Sequence, residues 1–148
     1  MDLVHYSLVL SQVVIFKTNK GEKMETMKVK KIKVTADDIS YGMASDCLSC
    51  PIARAIRKVV KKNCRVEVRS LSALIQVDDN FKHPHDYIDD EQSVHANGKD
   101  IPVVCIPLPQ RAKDFIDRFD SFGGTVEAYD SVVKPFSFEL PIPVESLR

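Results

Sequence analysis

The chain has 148 residues, 44% of them hydrophobic and 28% charged, with five Gly, eight Pro and no Trp. These proportions exclude a collagen, a coiled coil or a wholly disordered chain, and a domain of this length hides roughly 68–70% of its unfolded surface, so one core can form without metal or disulfide staples. Lys and Arg together number 21, as do Asp and Glu, which removes the global basic excess of a protein living on nucleic acid while leaving room for local patches.

Residues 3–16 (LVHYSLVLSQVVIF) are aliphatic and β-branched and fit one strand or a hairpin. The segment carries His5, Ser7, Ser11 and Gln12, follows no Lys/Arg cluster and shows no A-x-A site, so it reads as neither a signal peptide nor a membrane span, which needs about 20 apolar residues. Lys17 to Lys28 is polar, contains Gly21 and reads as a loop; residues 1–27 are therefore expected to be an N-terminal extension or accessory strand, and 28–148 a single α+β domain. Residues 28–34 (KVKKIKV) form a strand with its lysines in water. Thr35 with Asp38 makes a capping box for a short helix from Ala36 to about Met43. A second helix is expected from Pro51 to about Lys62, with Ser49 as cap and Pro in the first turn; Ile52, Ala55, Ile56, Val59 and Val60 recur at helical spacing.

Cys64 to Arg69 alternates and Ala73 to Val77 has strand composition, which predicts an antiparallel hairpin. Residues 78–100 hold seven acids, three histidines and few aliphatics, the pattern of a long exposed acidic loop. Ile101 to Leu108, with prolines near both ends, suits an edge strand. Pro109 opens a helix in which Ala112, Phe115, Ile116, Phe119 and Phe122 share a face and Gly123-Gly124 follows as a cap. Thr125–Tyr129 and Val132–Leu140 are strand-like, and the tail PIPVESLR is expected to be extended. Alternating strands favour a mixed or antiparallel sheet with two main amphipathic helices on one face. The expected core is Ile52, Ile56, Val59, Val66, Val68, Leu74, Ile75, Phe115, Ile116, Phe119, Phe136 and Phe138.

The segments VTADDISYG (34–42), DCLSCPIARAIRK (46–58), LPQRAKDFIDRFD (108–120) and PFSFEL (135–140) stand in this order along the chain. Together they resemble a family of small uncharacterised bacteriophage and prophage proteins that have a C-x-x-C-P-I-A-x-A-I helix, an L-P-x-x-A-x-x-F-I helix and a closing P-F-x-F-E-L strand. The resemblance covers residues 28–140 and implies a phage source and a fold unit, not a reaction.

Chemistry is sparsely advertised. Cys47-x-x-Cys50 could bind zinc with Cys64 and with His83 or His85, or act as a thiol-redox pair. Against both stands simple packing, with Cys50 as a small apolar residue before a helix. His83, His85 and His95 with the loop acids could hold a cation, but no calcium-hand spacing and no nucleotide-loop or hydrolase motif is present. No cofactor is expected.

Charge is split along the chain: residues 1–74 carry 14 Lys/Arg and 7 Asp/Glu, a net of +7, and residues 75–148 the reverse, −7. Arg54, Arg57, Lys58, Lys61, Lys62, Arg65 and Arg69 are the candidate binding face, for an acidic protein or for phosphates, and the split offers a route to homo-oligomers. Four cysteines in such a chain suit a reducing cytoplasm. The sequence thus leads to a non-enzymatic accessory protein that binds a host or phage protein. The alternative is a nucleic-acid-binding protein using residues 54–69, and the third reading a small zinc or thiol protein.

Overall fold

A computed structural model describes residues 3–10, 13–18, 21–77, 94–96, 99–101, 103–121 and 133–148, with side chains described for 26–77, 103–121 and 133–148. Its strands are β1 (Leu3–Leu10), β2 (Val13–Thr18), β3 (Gly21–Val34), β4 (Cys64–Val68), β5 (Ser72–Val77), β6 (Val94–Ala96), β7 (Lys99–Ile101), β8 (Val103–Pro107) and β9 (Phe136–Pro143). The helices are α1 (Ala36–Tyr41), α2 (Pro51–Arg57) and α3 (Gln110–Ser121), and a 3-10 turn spans Val144–Ser146. The fold is α+β.

Seven strands form one sheet in the order β4-β5-β8-β1-β2-β3-β9, and β6 with β7 forms a separate two-stranded hairpin. Every pairing is antiparallel except β1 with β8, where Leu3 to His5 run beside Val103 to Cys105. The sheet is therefore mixed. β3 serves two neighbours in turn: Gly21 to Thr26 pair with β2, and Met27 to Val34 pair with β9.

The strands expose their logic through parity. Ile32 and Val34 on β3, Val66 and Val68 on β4, Ala73 and Ile75 on β5, Val104 and Ile106 on β8, and Phe138, Leu140 and Ile142 on β9 belong to one buried cluster. α2 adds Ile52, Ala53, Ala55 and Ile56 to it, and α3 adds Ala112, Phe115 and Phe119, so both helices cover the same face. Leu74, Val103 and Cys105, of the opposite parity, form a second small cluster on the reverse side of β5 and β8. At the heart of the main cluster Phe115 stands 5.9 Å from Phe119 and 4.7 Å from Phe136, ring to ring. Both spacings fall in the range where aromatic pairs add to simple burial.

Several sequence expectations change. The polar stretch Lys17 to Lys28 is not a loop: from Gly21 onward it is the first part of β3, held by the ladder to β2. Ile101 to Leu108 is not an edge strand, because β8 lies between β5 and β1; Pro107 is its last residue, where a missing N–H spares the interior of the ladder. α2 stops at Arg57, short of Lys62. The N–H groups of Lys58 and Val59 reach back only three residues, to Ala55 and Ile56. Val60 then bridges to Leu147 and Lys61 N–H donates to the Ser146 carbonyl at 2.8 Å, so the C-terminal segment draws the chain out of the helix.

The tail is not wholly extended, since Val144–Ser146 make a 3-10 turn. Residues 94–101, expected within or beside the acidic loop, include the β6–β7 hairpin; 78–93 lie outside the described residues, as do Phe122, Gly123-Gly124 and the Thr125–Tyr129 strand. Val59, Ile116 and Phe136 of the expected core are partly buried against it. Met27, Ile39, Val104, Ile106, Leu140 and Ile142 are buried members that the expected core omitted.

Phe115 is 1% exposed and touches two other rings, so Phe115→Ala should lower stability by about 3–5 kcal/mol. Chemical denaturation read by circular dichroism measures this, and a loss under 1 kcal/mol would be too small for a ring in the core.

Candidate functional site

The residues singled out by sequence converge on the connection between α1 and α2 and on the strand edge beneath it. α1 begins at a complete capping box: Thr35 N–H donates to Asp38 Oδ2 at 3.0 Å and Asp38 N–H to Thr35 Oγ1 at 3.2 Å. Asp38 is buried and also accepts from Lys58 Nζ at 2.6 Å, with Arg54 Nε 3.7 Å away; Lys58 Nζ reaches the Lys33 carbonyl at 3.2 Å as well. Burial alone would push the Asp38 carboxyl up, but the Lys58 ammonium and the Thr35 N–H and hydroxyl outweigh it and hold the carboxyl below its ordinary value.

Between the helices the chain makes a tight turn. A Cβ at Gly42 would stand 2.6 Å from the Asp38 carbonyl oxygen and 2.7 Å from ring carbons of Pro51, so only glycine lets α1 end against the start of α2. Ser45 adopts φ 56°, the left-handed region, and its N–H donates to Asp120 Oδ1 on α3 at 2.8 Å. Asp46 gathers the rest: its carbonyl accepts from Ser49 and Cys50, and its side chain from Leu48 at 2.9 Å. The cap of α2 is Cys50, not Ser49; its Sγ accepts Ala53 N–H at 3.4 Å.

The turn is also sewn to β4. Val68 N–H donates to the Cys47 carbonyl at 2.8 Å, and Arg57 donates from one guanidinium nitrogen to the carbonyls of Leu48 and Val66. The seven expected cations thus occupy different settings. Arg57 points inward; Arg54 and Lys58 pair with Asp38; Arg69 Nε sits 3.3 Å from Glu67 Oε1; Arg65 is partly buried; Lys61 and Lys62 are exposed. Glu67 itself is buried although strand alternation would send it outward.

The cysteines divide. Cys47 and Cys50 line one cavity of about 160 Å³, together with Ser45, Asp46, Val68, Arg69, Ser70, Ile116 and Asp120. Cys64 Sγ instead lies 3.7 Å from the Ser146 carbonyl, and Cys105 belongs to the cluster on the reverse of the sheet. None of the four is joined in a disulfide. Among the described residues no three Cys, His, Asp or Glu side chains gather as a metal site, and His83 and His85 lie outside them. Burial, then the Glu67 carboxylate, raises the Cys47 thiol, with Arg69 opposing. Burial raises Cys50 to about 11 despite the N–H groups of Ala53 and Ile52. Both thiols are protonated near neutrality, so the cleft offers no standing thiolate nucleophile.

Sequence inspection missed two partners of this site, Asp120 and Glu67: neither stands at a defining position of a motif, and each is recruited from a separate element. Above the turn, Tyr41 and Met43 are 70% and 58% exposed, and the Arg54 guanidinium stands 5.7 Å from the Tyr41 ring centre. No family model, no curated protein and no solved structure matches the chain.

Arg57→Met keeps the apolar stem but strips the Leu48 and Val66 carbonyls of their charged donor, so stability should fall by about 2–4 kcal/mol. Equal denaturation midpoints for the two proteins would remove Arg57 from this role. Asp38→Asn should cost about 1–2 kcal/mol at neutral pH. Because the folded carboxyl titrates below its usual range, its contribution is present above the unfolded value and is lost as pH falls through the folded one. The gap between Asp38→Asn and the parent should therefore close on acidification, as melts at successive pH values would show.

Proposed function

We propose that this chain is a small non-enzymatic accessory protein of phage type that acts in the cytoplasm by binding a host or phage protein, and so inhibits or redirects a host system. One observation carries the reading: Tyr41 and Met43 stand exposed where α1 runs into a turn with little freedom to move, and the partly exposed Arg54 of α2 lies over the Tyr41 ring. Aromatic residues, Met and Arg are enriched at protein interfaces. The capping box, the close approach at Gly42 and the Met43 N–H bond to the Ser49 carbonyl at 2.9 Å fix the backbone beneath them, so little entropy is lost on docking. Cysteines held as thiols suit a reducing compartment. Among the described residues no helix is long and apolar enough to cross a membrane.

A nucleic-acid reading has its own support in Lys28, Lys31 and Lys33, exposed along β3, with Lys61 and Lys62 beyond α2. It draws less from the 54–69 face, where Asp38 and Glu67 already offset Arg54, Lys58 and Arg69. The resemblance to phage proteins supports the source rather than the partner.

The two readings part in one experiment. The tagged protein, its Tyr41→Ala/Met43→Ser variant and its Lys31→Glu/Lys33→Glu variant are compared for capture of host protein at moderate salt and for retention of DNA and RNA across a salt series. Both variants should fold normally, since exposed substitutions shift stability by about 0.5 kcal/mol or less each. A captured protein lost only with the Tyr41/Met43 pair is the expected result. Nucleic-acid retention that falls steeply with salt and disappears with the lysine pair would overturn it in favour of phosphate binding.

A further inference from the structure

We propose that Cys47 and Cys50 form a reversible dithiol–disulfide site that exchanges with low-molecular-weight disulfides, Cys47 being the entry thiol and Cys50 the resolving one. The inference is independent of what the Tyr41–Met43 surface binds. Its basis is placement: of four cysteines, these two alone line the same cavity, one partly exposed at it and the other buried behind it. The turn that carries them is short and folded back on itself, with Ser49 N–H and Cys50 N–H both donating to the Asp46 carbonyl. Two residues separate the thiols, the spacing that lets a turn close a disulfide.

Their present hydrogen bonds do not lock them apart. Cys50 Sγ accepts weakly from Ala53 N–H at 3.4 Å, with Ile52 N–H also acting on it, and Cys47 is anchored through its carbonyl, which leaves its side chain to the cavity. The other two thiols are placed differently: Cys64 is buried against the Ser146 carbonyl and Cys105 within the cluster on the reverse of the sheet. Access therefore selects Cys47 for entry, and the shared cavity then selects Cys50 as its partner.

The exchange balances with a disulfide such as oxidised glutathione as the oxidant. Cys47 gives up its proton, its sulfur attacks one glutathione sulfur, and the S–S bond of glutathione breaks; one glutathione leaves as a thiolate and takes up a proton. The Cys50 sulfur, deprotonated in turn, then attacks Cys47 Sγ. The protein disulfide forms and a second glutathione leaves. Two protein thiols are oxidised and one glutathione disulfide is reduced to two thiols. Asp46 from the turn, Glu67 from β4, Arg69 just beyond it and Asp120 from α3 face the cavity or its entry thiol, and Arg57 of α2 acts on Cys50. Burial first, then Glu67 and Asp46 against Arg69, keep Cys47 in its thiol form near neutrality, so exchange should quicken as the pH is raised toward the alkaline range.

The test incubates the full-length protein with oxidised glutathione at several pH values, quenches by alkylation and maps each cysteine by peptide mass. The expected product lacks two hydrogen atoms, has Cys47 and Cys50 joined, and retains Cys64 and Cys105 as thiols. Cys50→Ser, which keeps a good helix cap, should stop at a glutathione adduct on Cys47. Cys47→Ser should leave Cys50 unmodified over the same period. Four intact thiols in the parent, a stable adduct on Cys47 with Cys50 present, or oxidation spread over all four cysteines would each overturn the assignment.

Discussion

The Arg57 guanidinium is the contact on which the surroundings of the turn depend. It reaches the Leu48 carbonyl on one side and the Val66 carbonyl on the other, so a single side chain joins a helix end, the cysteine turn and the outermost strand. Partly buried cations are costly unless their donors are used, and here they replace the hydrogen bonds that a missing neighbour strand would make. The substitution continues along β4: Cys64 N–H donates to Lys61 and Val68 N–H to Cys47. An edge that would otherwise offer unpaired backbone groups is sealed by its own chain.

Asp38 plays the matching part at the other end of the turn. It caps its own helix and accepts from Lys58 at the C-terminal cap of α2, while Lys58 also donates to the Lys33 carbonyl of β3. α1, α2 and β3 thereby share one buried carboxylate. The geometry of Gly42 and the left-handed Ser45, pinned by Asp120, follow from the need to pass the chain between these two anchors. Strain at Ser45, of the order of 1 kcal/mol for a residue in that region, is sustained because bonds on both sides fix the path.

Local signals in the sequence were legible where one element decides its own form. The Thr35–Asp38 box, Pro51 at the start of α2, the β4–β5 hairpin and the Phe115–Phe119 stripe of α3 each depend on near neighbours, and each stands as its spacing implies. Distant pairing was not legible. The polar residues of β3 form a strand because β2 supplies a ladder, and α2 ends early because Ser146 and Leu147, more than 80 residues on, take its carbonyls' successors into a bridge. The different settings of the cations between 54 and 69 were hidden for the same reason. Periodicity tells which side of a helix a cation occupies, but not that a loop carbonyl or a buried carboxylate from another element will claim it.

These claims on charge shape what kind of surface remains. β9 ends the sheet opposite β4, and Pro141 and Pro143 interrupt its donors. With one terminal strand sewn to its own turn and the other broken by proline, recognition by strand addition has little backbone to work with. Recognition then falls to side chains, and among the described residues the exposed large apolar ones are few: Tyr41, Met43, Leu71, Val29 and Val144. Tyr41 and Met43 sit close together on a segment whose backbone is fixed at both ends. A ring braced by Arg54 on such a support loses little freedom when covered, whereas a lysine on β3 must surrender a long flexible stem. Rigidity, more than charge, therefore favours the α1–α2 turn as the place where this fold meets another molecule.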